Sequence, residues 1–168
     1  TSPEEAALKL LSMSRGNVSA IYYSMDEGDV LSILKEKWIA VGSDGTALDF
    51  SSKAGLGKPH PRNFGTFPRV LRLAREKNLL TLEKAVHKMT GLPAKIIGIK
   101  NRGVIANGNI ADLVVFDPES IADTATYDDP ISRPVGIHHV FVAGRPVILD
   151  GIQQEEYPGR ILLRNCRE

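Results

Sequence analysis

An α/β fold is what this sequence predicts, and two observations carry the expectation. Over the first half of the chain, segments with helical spacing alternate with short apolar, β-branched runs, the order expected of a parallel sheet covered by helices. From about residue 99 the helical spacing gives way to short strands separated by turn residues, so the chain ends β-rich.

The elements follow in order. Ser2 with Glu5 three positions later, and Pro3 between them, forms a capping-box signature for a helix through about Met13. "NVSAIYYSM" (17–25) is a β-branched and aromatic run and reads as a strand. "MDEGDVLSILKEK" follows with Val30, Leu31, Ile33 and Leu34 spaced for a helix with one buried face, and "WIAVG" (38–42) is a second apolar strand. Residues 45–68 carry little periodicity and are punctuated by Gly45, Gly55, Gly57, Pro59, Pro61, Gly65 and Pro68, which predicts a long loop of the kind that is commonly functional. Helical spacing resumes over 68–78, and Thr81 caps a further helix, 82–90, that stops at Gly91 and Pro93, with a short helical turn over 93–98. Strands are then expected at "GVIA" (103–106), "ADLVVFD" (111–117) and "HHVFVAGRPVI" (138–148), the last folded back at Ala143-Gly144, while the proline-bearing stretch 118–134 reads as a loop between strands.

Composition excludes several function classes. Lys and Arg number 21 against 20 Asp and Glu, and a net charge of +1 gives no strong pull toward nucleic acid or an anionic membrane. The single cysteine, Cys166, cannot pair within the chain and is too isolated for a thiolate metal site. No basic n-region with a long apolar core opens the sequence, and no run approaches the roughly 18 apolar residues of a membrane span, so a cytoplasmic protein is expected.

The chemistry-bearing stretch is "VGSDG" (41–45). In parallel α/β sheets and barrels, catalytic groups sit where strands leave their C-terminal ends, and Asp44 follows the apolar run 38–41 at such a place. Gly42 and Gly45 let the backbone approach a ligand, and Asp44 has the chemistry of a metal ligand or a general base. Ser43-Asp44-Gly45 also reads as a plain tight turn. The loop that follows supplies Lys58, His60 and Arg62; a guanidinium suits a substrate carboxylate, and the same residues also read as a solvated basic loop. His87 falls on a helix, and the adjacent His138 and His139 point to opposite faces of a strand, a poor chelating pair. No His-x-His or His-Glu-x-x-His occurs.

"VGSDG", "HPRNFGTFPRVL", "TLEKAVHKMTGLPAKIIGI", "RGVIANGNIADLVVFDPESIADTATYDDP" and "GIHHVFVAGRPVILDG" together resemble the C-terminal part of the N-acyl-D-amino-acid deacylases, or D-aminoacylases, of the amidohydrolase superfamily. The β-rich motifs are shared across that superfamily; the pairing of "GSDG" with "HPRNFGTFPRVL" is narrower. The resemblance implies the C-terminal portion of a (β/α)8 barrel over residues 1–98, followed by strands of a small β-sandwich domain over 99–168. It also implies a zinc enzyme that hydrolyses N-acyl-D-amino acids. In that mapping Asp44 adjoins the metal as a ligand and shuttles a proton from the attacking water to the leaving nitrogen. Arg62 fixes the substrate carboxylate, supported by His60 and Phe64, with Ser43 and Gly45 lining the site. The family's other metal ligands, a His-x-His pair among them, have no counterpart here. A barrel takes about 250 residues. The expected partner is therefore the N-terminal part of the barrel, on the same gene product or another chain, and the chain alone is expected to be inactive. Two alternatives stay open: a portion of a cyclic amidohydrolase like dihydroorotase or hydantoinase, or a non-catalytic interaction module without a metal site.

Overall fold

The computed structural model of the chain describes residues 2–18, 22, 24–48 and 58–162. The chain divides into two compact units, Thr1–Val30 and Leu31–Glu168.

In the first unit, helix α1 (Pro3–Met13) starts where its sequence signal lies. Ser2 Oγ accepts the Glu5 N–H at 3.2 Å, and Glu5 Oε2 accepts the Ser2 N–H at 3.0 Å. Two backbone donors at the helix start are thereby satisfied. No residue of α1 is buried, and Leu8, Leu10, Leu11 and Met13 are exposed. The strand expected over 17–25 lies partly outside the described residues, and Asn17, Val18, Tyr22, Ser24 and Met25 belong to no strand. Helix α2 (Glu27–Lys35) begins in this unit and continues into the next; Leu31 and Leu34 are half-buried, while Val30 and Ile33 are exposed, so the expected buried face is only partly formed.

The second unit corrects the expected strand at 38–42. A strand exists through its neighbour's backbone, whereas Val41 gives its N–H to the carbonyl of helical Lys88, at 3.0 Å. Helix α3 (Arg62–Glu76) begins at Arg62 and takes Pro68 inside it, so the loop expected to run to 68 ends sooner. Gly65, Pro68, Val70, Leu71, Leu73 and Ala74 are buried along α3, and that burial outweighs the amide hydrogen bond a proline cannot make. Helix α4 (Leu82–Met89) starts at Thr81, whose side chain accepts the Lys84 N–H, as its cap signal implies. Helix α5 (Gly91–Ile97) follows at once, with Gly91 and Pro93 inside its first turn, where a missing N–H costs little, and ends on Gly98 at φ 82°.

The C-terminal part is a four-stranded antiparallel sheet in the order β1 (Leu113–Phe116), β2 (Ile137–Val142), β3 (Arg145–Leu149), β4 (Ile152–Gln153). Leu113 faces Phe141 and Val115 faces His139 across β1 and β2, with a register shift after Val115. Ala143 and Gly144 form the expected hairpin tip, both at positive φ (51° and 77°), and Asp150-Gly151 (50° and 73°) makes a second tight turn of the same kind. The segment 103–106, expected as a strand, is irregular; residues 118–134 are a loop with one isolated bridge, Ala122 to Val135. Cys166 lies outside the described residues.

One core ties helices and sheet together in this unit. Val70, Leu71 and Ala74 of α3, Ala85 of α4 and Ile121 of the loop are buried together, with Leu34, Val41, Leu80, Val86, Met89, Phe116 and Ile137 packed around them. The loop is strapped to α3 by Arg72 Nε on Asp123 Oδ1 at 2.7 Å, and by Arg75 Nη1 on the carbonyls of Pro118 and Ile121 at 2.8 and 3.1 Å. Among the described residues, no helix is long and apolar enough to cross a membrane.

Candidate active site

Lys88 positions the approach to Asp44. It is 3% exposed, and its ammonium donates to the carbonyls of Glu36 and Ile39, the second at 2.7 Å, while its own carbonyl receives the Val41 N–H. Burial pushes this lysine below its ordinary pKa, with Glu36 opposing the shift. The chain between α2 and the Ser43-Asp44-Gly45 turn is thus held by one buried side chain from α4.

The turn itself is local. Ser43 Oγ accepts the Gly45 N–H at 3.2 Å, and Asp44 sits at φ 49°, the left-handed region that aspartate tolerates better than most residues. At Gly45 the backbone comes against the start of α3: a Cβ there would stand 3.2 Å from Asn63 Cα and 3.3 Å from the Arg62 carbonyl oxygen. Asn63 closes the contact, its Oδ1 accepting the Thr46 N–H at 2.6 Å and its Nδ2 donating to the His60 carbonyl at 3.0 Å. The tripeptide is a tight turn, and that turn brings Asp44 to a guanidinium.

That guanidinium is Arg62, the first residue of α3, with Nη2 3.2 Å from Asp44 Oδ2; the side chains are 44% and 85% exposed, so the pair adds little stability. An exposed pair of this kind can exchange partners, and a carboxylate from a ligand can take the place of Asp44 on the guanidinium. His60 accepts the Arg62 N–H on Nδ1 at 3.1 Å, and its Nε2 lies 3.1 Å from the Tyr127 hydroxyl. Its pKa is lowered by burial first and then by the positive charges of Arg62 and Arg69, against the pull of Asp44, which favours the neutral ring.

The fold therefore brings Ser43, Asp44, Gly45, His60 and Arg62 to one place. Asn63 and Tyr127 join them without having been singled out in the sequence, although both lie inside the quoted motifs, Asn63 beside Arg62 and Tyr127 near the end of the stretch that closes at Pro130. The other histidines lie elsewhere: His87 is exposed on α4, His138 is exposed on β2, and His139 accepts the Asp150 N–H on Nδ1 at 3.1 Å.

For a metal, the side chains in hand do not fit. Among the described residues, no three His, Cys, Asp or Glu side chains converge to hold an ion. Asp44 offers one carboxylate, already facing a cation, and both ring nitrogens of His60 have partners within the chain. What the arrangement can do is hold an anion on Arg62 beside a solvent-accessible carboxylate able to accept and return a proton.

The amidohydrolase family profile matches residues 34–148. The chain is 48% identical over 148 residues to a D-aminoacylase of Alcaligenes xylosoxydans xylosoxydans, covering 88% of this chain and 29% of that protein. It is 44% identical over 160 residues to an N-acyl-D-aspartate deacylase of the same organism, covering 95% and 30%. Among solved structures, an N-acyl-D-glutamate deacylase from Bordetella bronchiseptica, complexed with zinc and a phosphonate inhibitor that mimics the reaction's tetrahedral intermediate, superposes with a TM-score of 0.71 at 42% identity, covering 86% of this chain and 30% of that one. Shorter stretches, such as 42 and 83 residues, are similar to dihydroorotases. The chain thus spans less than a third of the length of these relatives. With the profile covering α3, α4, α5 and the sheet as far as β3, the chain belongs to the amidohydrolase family.

Proposed function

We propose that this chain is the C-terminal portion of a zinc-dependent N-acyl-D-amino-acid deacylase, hydrolysing the amide to a D-amino acid and a carboxylate. Residues 1–98 are read as the last part of a (β/α)8 barrel and 99–168 as strands of the small β-sandwich beside it. The rest of the barrel is the partner this reading requires. Asp44 is read as one zinc ligand and the remaining ligands as belonging to that other part, because among the described residues no three His, Cys, Asp or Glu side chains converge.

The observation that carries the reading is the meeting of Asp44 and Arg62, at 3.2 Å, from two segments 18 positions apart (62 − 44). Arg62 holds the α-carboxylate of the substrate, with Ser43 and Gly45 shaping the turn beside it and His60 backing the arginine. Asp44 takes the proton of the attacking water and hands it to the departing nitrogen, so the amine leaves neutral and the carboxylate is restored for the next turnover.

The test is Asp44→Asn in the complete protein. Loss of a general acid-base is expected to lower kcat by about 10² to 10⁴ while KM for an N-acyl-D-amino acid stays within a few fold. Wild-type turnover in that variant would end the assignment. The runner-up, cyclic-amide hydrolysis, has the partial similarity to dihydroorotases behind it; rapid opening of a hydantoin or other cyclic amide, with N-acyl-D-amino acids left intact, would replace the deacylase reading.

A further inference from the structure

Among the described residues, loop 118–134 brings Tyr127 of the β-rich half to the candidate site, and the function proposed above gives it no role. It is built to be rigid. Thr126 and Asp129 bond each other twice, Thr126 N–H to the Asp129 carbonyl and Asp129 N–H to Thr126 Oγ1, both at 3.0 Å. Thr124 Oγ1 lies 2.7 Å from Ser132 Oγ and 2.7 Å from the Arg133 carbonyl oxygen, closing the base of the loop. Asp123, its side chain only 8% exposed, is fixed by Arg72, and Gly65 lets α3 come so close that a Cβ there would stand 3.0 Å from Asp123 Cβ. The loop is therefore fastened to the helix whose first residue is Arg62.

At its crest Tyr127 reaches His60. The hydroxyl is 3.1 Å from Nε2, and the rings meet edge to face with centroids 5.2 Å apart at 79°. Because His60 Nδ1 accepts the Arg62 N–H, the ring proton sits on Nε2 and is donated to the Tyr127 oxygen. A chain of contacts thus runs from the loop through Tyr127 and His60 to the backbone of Arg62 and so to the guanidinium facing Asp44.

We infer that Tyr127 is a positioning residue for the carboxylate-binding arginine: through His60 it fixes where Arg62 begins α3, and loop 118–134 thereby forms one wall of the site that receives the substrate's α-carboxylate. The inference rests on the deacylase reading for the identity of the ligand. It makes the β-rich half a contributor to substrate binding.

Tyr127→Phe in the complete protein removes one oxygen and keeps the ring at a position 54% exposed, so folding is expected to survive. KM for an N-acetyl-D-amino acid is expected to rise about threefold to tenfold, the worth of one hydrogen bond, with kcat within about twofold. In a His60→Gln background the same substitution is expected to add nothing, an outcome that general loosening of the fold does not produce. An unchanged KM, a loss confined to kcat, or an equal penalty in both backgrounds overturns the inference. Calorimetric binding of N-acetyl-D-methionine separates this from the parent reading. Weaker binding in Tyr127→Phe supports the positioning role even where the wild type turns nothing over; equal, measurable binding in wild type and variant rejects that role alone, and no binding in either rejects the deacylase reading and this inference with it.

Discussion

Helix α1 has the local signals of a helix start, with Pro3 at its first position and a closed capping box between Ser2 and Glu5, and it buries no residue. Helix α3 opens on Pro61 without a side-chain cap, carries Pro68 inside it, and buries six of its 15 residues. The two show that separate forces decide where a helix begins and what a fold depends on. Capping satisfies a few donors and is worth about 1 kcal/mol, whereas each large apolar side chain buried by α3 is worth about 1.5 to 3 kcal/mol.

The sharpest way to break this contrast is a matched truncation. Leu71→Ala in α3 is expected to cost about 2 to 5 kcal/mol, whereas Leu11→Ala in α1, at a side chain 45% exposed, is expected to cost less than about 0.5 kcal/mol. Urea unfolding of both variants measures the difference, and equal losses would mean that α1 is as embedded as α3. Lys88→Met asks whether a polar contact can belong with burial. It keeps most of the aliphatic stem and strips the donors from the Glu36 and Ile39 carbonyls, for an expected loss of about 1 to 3 kcal/mol. A neutral result would assign the clamp to packing alone. The smallest effect is at Ser2→Ala, where about 1 kcal/mol of capping is expected to appear only as faster hydrogen exchange in the first turn of α1, with the global midpoint unmoved.

The same contrast explains what was legible in the sequence. The starts of α1 and α4 and the tip at Ala143-Gly144 rest on contacts between residues at most three apart, and they could be read directly. The run of α3 through Pro68 could not, because Val70, Leu71 and Ala74 beyond the proline are buried with Ala85 and with Ile121 of the later loop, packing that a proline rule does not weigh. The run at 38–42 misled for a related reason: apolar, β-branched composition marks a segment fit to be a strand, but a strand also needs a paired backbone, and here Val41 bonds a helix. The turn at Asp150-Gly151 is of the same local kind, legible in its dipeptide. In the site, Asp44, His60 and Arg62 stood out through motif and charge. Tyr127 stood 67 positions from His60, in a polar stretch without periodicity, where only the folded chain brings it forward.

The buried ammonium of Lys88 also makes the molecule its own clock. An amine-reactive reagent meets exposed lysines such as Lys58 and Lys84 at once, but Lys88 only when the segment after α2 lets go of it. The ratio of slow to fast modification therefore reports how often the strand of chain leading to Asp44 breathes, in a protein with no engineered probe, and a ligand that settles the site should lengthen the interval between those openings.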